Sequence, residues 1–161
     1  VTNTGNDERP DAAPEPGEPP RPAAAPDAEG RTIGGDGSPV RLSTLSSGDI
    51  DGAQLSGELA CSFGGRDSAP LLFATGDVAS SAPAMGVVKV LDSVERVGAP
   101  GGYNGMVRGA TFAGRGKTIR IALTGDGPVG AGESPPHPAT LTYERADGAS
   151  RTIDGLWTCG P

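Results

Sequence analysis

The sequence predicts an all-β domain, a small antiparallel barrel or sandwich with one disulfide, preceded by a disordered Pro/Ala-rich linker. Three observations predict it. The composition changes sharply near residue 40; beyond it, apolar and polar residues alternate between Gly, Asp and Pro punctuation; and the two cysteines, Cys61 and Cys159, lie near opposite ends of the patterned region.

The first 30 residues hold seven prolines and no large apolar residue beyond Val1. Such a segment cannot bury enough surface to offset its ordering entropy. Residues 1–39 therefore read as an acidic linker and 40–161 as the β domain. At about 3.1 Å per residue, thirty residues could reach on the order of 90 Å. Residues 1–40 carry eight acids and three arginines, net −5, and the rest carry twelve acids and ten bases, net −2. A nearly neutral domain without a basic cluster offers no electrostatic footprint for nucleic acid. No run of eighteen apolar residues is present, so no membrane-spanning helix is expected, and a membrane would be reached only through a lipid anchor after removal of a signal.

Within the domain, residues 41–52 (RLSTLSSGDIDG) have room for a short helix. In AQLSGELACSF, Leu55, Leu59, Cys61 and Phe63 share one face and Ser56, Glu58 and Ser62 the other, so Cys61 points inward. PLLFATGDV and GVVKVLDSVERV read as two more strands, with LDSVERV also compatible with one helical turn. RGATFAG and GKTIRIALTG form a hairpin through Gly114, Arg115 and Gly116, with Ile119, Ile121 and Leu123 inside. A second hairpin pairs ATLTYER with SRTIDGLWTC around Ala146, Asp147 and Gly148. On its return strand Ile153, Gly155, Trp157 and Cys159 share the inner face.

Two inward cysteines with no third to compete read as a Cys61–Cys159 disulfide. Closing a loop of roughly 100 residues stabilises by about 4.7 kcal/mol in the chain-entropy model. Two buried thiols in a cytosolic protein are the alternative. The proline-rich leader favours an extracytoplasmic setting: periplasmic, membrane-tethered or secreted.

Candidate chemistry is sparse. Gly116, Lys117 and Thr118 reproduce the end of a phosphate-binding loop, but Thr111 stands at its first glycine and a strand follows where a helix is needed. His137 is the only histidine. A triad would need it with Ser134 or another serine, yet the flanking prolines suggest an exposed loop. Asp49, Asp51 and Gly52 echo a calcium loop without its remaining ligands; the Asp-Gly pairs at Asp36, Asp51, Asp126 and Asp147 suit turns. No metal or cofactor is expected, nor a catalytic residue, although two carboxylates meeting in space would support a hydrolase. Tyr103, Asn104 and Met106, on the glycine-rich loop APGGYNGM, are the candidate partner-binding residues: a flat aromatic beside a flexible thioether suits protein recognition. The bland reading has the Tyr103 ring capping one end of a barrel.

Taken together, GELACSF, GVVKV, GATFAGRGKTIRIA and ESPPHPATLTYERADG, ending in WTCGP, resemble a group of uncharacterised small bacterial extracytoplasmic proteins, often lipoprotein-like. The resemblance spans residues 50–161 and implies export without an activity. A weaker resemblance is to the periplasmic inhibitors of C-type lysozyme, small β-barrels in which cysteines of early and late strands pair and a Ser-Gly-x-x-Tyr loop precedes a strand pair. PGGYNG keeps a glycine and Tyr103 but has Pro100 where that family's serine is expected. The resulting expectation is a monomeric, non-enzymatic envelope or secreted domain, a tethered interaction or structural module for an unknown protein or envelope component. A lysozyme-inhibitor-like protein and a carboxylate hydrolase are the alternatives.

Overall fold

The structure is a computed structural model that describes residues 31–65, 68–125, 127–130 and 132–160. The linker expected over residues 1–30 lies outside them. The described residues form ten strands and one helix: β1 (Thr32–Ile33), β2 (Leu42–Ser43), α1 (Ser47–Ala53), β3 (Leu59–Gly64), β4 (Leu72–Gly76), β5 (Ala84–Val90), β6 (Ser93–Ala99), β7 (Gly109–Gly114), β8 (Lys117–Leu123), β9 (His137–Arg145) and β10 (Ser150–Gly160). From β3 onward each strand pairs antiparallel with the next, and β10 returns to pair with β3. The result is a closed eight-stranded up-and-down barrel. Closure removes the sheet edges that would otherwise invite pairing with other chains.

Strand alternation builds the core as expected. Cys61, Phe63, Leu72, Ala74, Val88, Val97, Phe112, Ile119, Ile121, Leu141 and Trp157 are all buried and form one interior cluster. The register sets Trp157 opposite Phe63 and Cys159 opposite Cys61, and the two cysteines are joined as a disulfide. The staple therefore ties the first barrel strand to the last. Trp157 and Phe112 meet edge to face at 6.2 Å and 65°, a favoured aromatic geometry. Gly155 makes room beside them, because a Cβ there would sit 2.7 Å from the Phe63 ring.

The turns follow local chemistry. Leu91 and Asp92, both with positive φ (49° and 67°), make the two-residue β5–β6 connection, the backbone that a tight hairpin demands. LDSVERV is thus turn and strand. Gly116 (φ 70°) and Gly148 (φ 95°) serve the β7–β8 and β9–β10 turns.

Two boundaries differ from the sequence reading. Residues 31–39 are part of the barrel domain: Thr32 and Ile33 pair with Arg151 and Ser150 of β10, and the Thr32 hydroxyl accepts the Val40 N–H at 2.7 Å. Val40 then enters the interior cluster, and β2 pairs with the end of β5. Composition hid this strap because its partners lie about a hundred residues downstream. His137 is also not a loop residue. It opens β9, half-buried, with its backbone opposite Trp157; the strand thus starts two residues before the ATLTYER segment.

Helix α1 lies outside the barrel. Ser46 and Asp49 form a capping box, with N–H to oxygen distances of 3.0 and 2.9 Å, which offsets the poor helix propensity of a segment with two glycines. Lys89 of β5 pairs with Asp49 at 3.2 Å, and Arg96 of β6 donates to the Ala53 carbonyl at 2.6 Å. Those contacts pin the helix over Val87, an outward residue that is nonetheless fully buried.

Candidate functional site

The two ends of the barrel differ. One carries the strap, the short β5–β6, β7–β8 and β9–β10 turns and the β3–β4 connection; the other carries the β4–β5, β6–β7 and β8–β9 connections.

At the strap end the inner face turns polar. Lys117, 8% exposed, pairs with Glu95 and donates to the Arg115 carbonyl at 2.6 Å. The lysine of the phosphate-loop-like stretch therefore points into the barrel and is spent there. Tyr143 lies in the same interior. Burial, then the Glu95 charge, push its phenol above the ordinary value, and Arg145 offsets part of this. Arg151 donates to the Val40 carbonyl at 3.0 Å while its Nε is buried without a partner. Outside, Arg145 gathers the strap and the β9–β10 turn by bonding Asp147 at 2.9 Å and Asp36 at 3.1 Å. The Arg145 hydrogen bond, aided by the Ala149 N–H, holds the Asp147 carboxyl well below the usual carboxylate range. Bonds from Ser38 lower Asp36 likewise. The Asp-Gly pairs at Asp36 and Asp147 thus fasten two segments as well as turning them.

At the loop end, connections 77–83 and 100–108 are knitted together. The Tyr103 N–H donates to the Asp77 carbonyl at 3.1 Å, and the Asn104 side-chain oxygen accepts the Ala79 N–H at 2.6 Å. Glu58 and Asp77 cap backbone across the two segments: Asp77 accepts the Glu58 N–H at 3.1 Å, and Glu58 accepts the Val78 N–H at 2.8 Å. Each of these carboxylates spends an oxygen on a backbone donor. Both are exposed, as is Val78 at 45%.

The three partner-binding candidates separate here. Met106 is fully buried and its carbonyl accepts the Trp157 indole N–H at 2.8 Å. It cannot be presented to a partner, because the loop turns its thioether into the barrel mouth as a plug. Tyr103 is half-buried and packs against the core cluster, while Asn104 is exposed. Tyr103 thus packs over the barrel core, and its backbone ties its loop to Asp77, where Glu58 and Val78 are also held. Sequence reasoning missed Glu58, Asp77 and Val78, since it takes the Tyr103–Asp77 backbone bond and the bonds among 58, 77 and 78 to bring these connections together.

The remaining motifs disperse. Asp49 caps α1 and pairs with Lys89; the Ser46 N–H, then Lys89, lower its carboxyl. Among the described residues no cluster of three or more His, Cys, Asp or Glu could hold a metal ion. Ser134 and His137 line different surface depressions.

The fold defines a disulfide-stapled, eight-stranded up-and-down barrel, filled by its own side chains. The chain matches no family model, no curated protein and no solved structure. Its disulfide suits an oxidising, extracytoplasmic environment, and among the described residues no helix is long and apolar enough to cross a membrane.

Proposed function

We propose that the protein is a non-enzymatic binding module of the cell envelope or of the secreted fraction, periplasmic or held at a membrane by a lipidated leader. The observation that carries this reading is the plugged barrel. Met106 at one end and Val40 at the other are buried in the same interior cluster, so recognition falls to the outer surface. The loop end is the surface best suited to it. There Tyr103 and Val78 supply an aromatic and apolar centre, and Glu58 and Asp77 add negative charge at its margin.

An anionic rim around an aromatic centre suits a basic protein partner, which gives the lysozyme-inhibitor-like reading a specific basis. The barrel staple between early and late strands agrees with that resemblance, and Pro100 in place of the expected serine departs from it. Mixing the full chain with a C-type lysozyme tests the reading. Stoichiometric loss of lytic activity is expected, weakening with salt because the rim charges are exposed. Tyr103→Ala should weaken the complex by tenfold or more, about 1.4 kcal/mol. Undiminished lysis at a molar excess would remove the inhibitor reading, and a Tyr103→Ala chain that binds every partner as wild type does would remove the loop end as the binding surface.

A further inference from the structure

A second surface lies on the outside of the barrel, away from the mouth. The register sets Phe73 of β4 opposite Ser62 of β3, and Ser62 opposite Thr158 of β10. These three side chains form one row across the outer face, since their strand neighbours Leu72, Cys61, Phe63 and Trp157 point inward. At about 4.8 Å between strands, the row sets an aromatic ring and the far hydroxyl roughly 10 Å apart. Two depressions overlap at Ser62 and Thr158. They make one trough along β3 and β10, walled on one side by Ser134 and Pro136.

Its chemistry is selective. Ala60 pairs with Gly160 and Gly64 with Leu156, so little rises beside the central row. Hydroxyls, one aromatic and a few aliphatic surfaces line the trough, and among the described residues it has no charged lining side chain, in a chain where 20% of residues are charged. Among the described lining side chains a nucleic acid or an acidic ligand finds no cation. An extended peptide would find no edge to pair with, because β3 and β10 each have strand partners on both sides. A sugar chain needs neither. Its ring faces lie against aromatic and aliphatic surface, and its hydroxyls exchange hydrogen bonds with Ser and Thr. Leu156 and Pro136, together at one end, offer an apolar seat for the methyl of an acetamido group.

We propose that the face formed by β4, β3 and β10 binds a neutral, N-acetylated glycan, with Phe73 as the stacking platform, Ser62 and Thr158 as the hydroxyl row and Leu156 with Pro136 as the acetamido seat. This goes beyond the loop-end reading and stands or falls apart from it, because Tyr103 takes no part.

The test is an amide-resolved NMR titration of the full, disulfide-bonded chain with chitohexaose, a β-linked N-acetylglucosamine oligomer, alongside maltohexaose, which lacks the acetamido groups. Chitohexaose should shift amides of 60–64, 71–75 and 156–160, and bind at least about tenfold more tightly than maltohexaose. Thr158→Arg fills the trough with a charged side chain and should cost tenfold or more in affinity; Ser62→Ala, which only removes a hydroxyl, should weaken binding severalfold. Tyr103→Ala should bind chitohexaose as the wild type does. No shift at saturating chitohexaose overturns the proposal, as do shifts centred on 100–108, equal affinity for the two oligomers, or unchanged affinity in Ser62→Ala.

Discussion

Trp157→Phe probes the tie between the glycine-rich loop and the core. The indole N–H donates to the Met106 carbonyl at 2.8 Å, and both residues are fully buried. Phenylalanine keeps an aromatic ring facing Phe112 but leaves that carbonyl without its donor, a desolvation penalty of about 1–3 kcal/mol. The smaller ring also opens a void. Complete truncation of a buried Trp costs about 3–5 kcal/mol, so the partial loss adds about 1–2 kcal/mol on that scale. The expected total, roughly 2–5 kcal/mol, is a large part of the about 5–15 kcal/mol by which a domain is normally stable. Urea unfolding followed by far-UV circular dichroism should show a lower midpoint with an unchanged slope. Amide exchange at 100–108 should quicken beyond what the global loss explains. Phe112→Leu, which keeps the hydrogen bond, should destabilise without that selective loosening. A Trp157→Phe shift below about 1 kcal/mol with unaltered loop exchange would refute the argument that this bond holds the loop.

Two other interactions yield distinct outcomes. Glu95→Gln removes the charge facing the buried Lys117 ammonium and should cost about 1–3 kcal/mol, less than the 3–5 kcal/mol of a fully buried pair because the Glu95 side chain is 36% exposed; Lys117→Met should be near neutral or stabilising, and equal losses in the two variants would contradict the assignment. Asp147 and Asp36 have folded-state pKa values held below the ordinary 3.8, so their stabilisation of the strap is complete well above that value and is lost as pH falls through the lowered folded values. Amide exchange at 32–40 should therefore rise selectively in strong acid, and in Asp147→Asn that acid dependence should shrink; an Asp147→Asn profile identical to wild type would rule out the Arg145 hub as its source.

Much of the barrel was legible because strand period and turn chemistry are local. The inner phase of Ile119, Ile121, Leu141, Tyr143 and Trp157 and the turns at Gly116 and Gly148 all follow from neighbours in sequence. The disulfide was legible for a related reason: each cysteine's phase is local, and only their pairing is not. What escaped depends on distant partners. The strap at 31–39 looks like linker until Arg145 and Arg151 supply its hydrogen bonds. Lys117 looks like the first residue of a strand after a turn, and only Glu95, twenty-two residues upstream, accounts for its ammonium inside the barrel. Met106 looks displayed until Trp157 draws its loop inward, and Glu58, Asp77 and Val78 join Tyr103 only through backbone caps between two connections. Closure, as opposed to an open sandwich, rests on the β10–β3 register, which no local pattern encodes.

That register also carries the disulfide. Cys61 and Cys159 stand opposite each other on the strands that close the barrel, and their bond is the feature that ties the fold to an oxidising compartment. The direct measurement is the intact mass of the full chain, purified from such a compartment and treated with an alkylating agent under denaturing conditions, with and without prior reduction. A stapled barrel takes up no alkyl groups before reduction and two after it. Two alkyl groups on the unreduced chain would contradict both the stapled closure and the extracytoplasmic setting built on it.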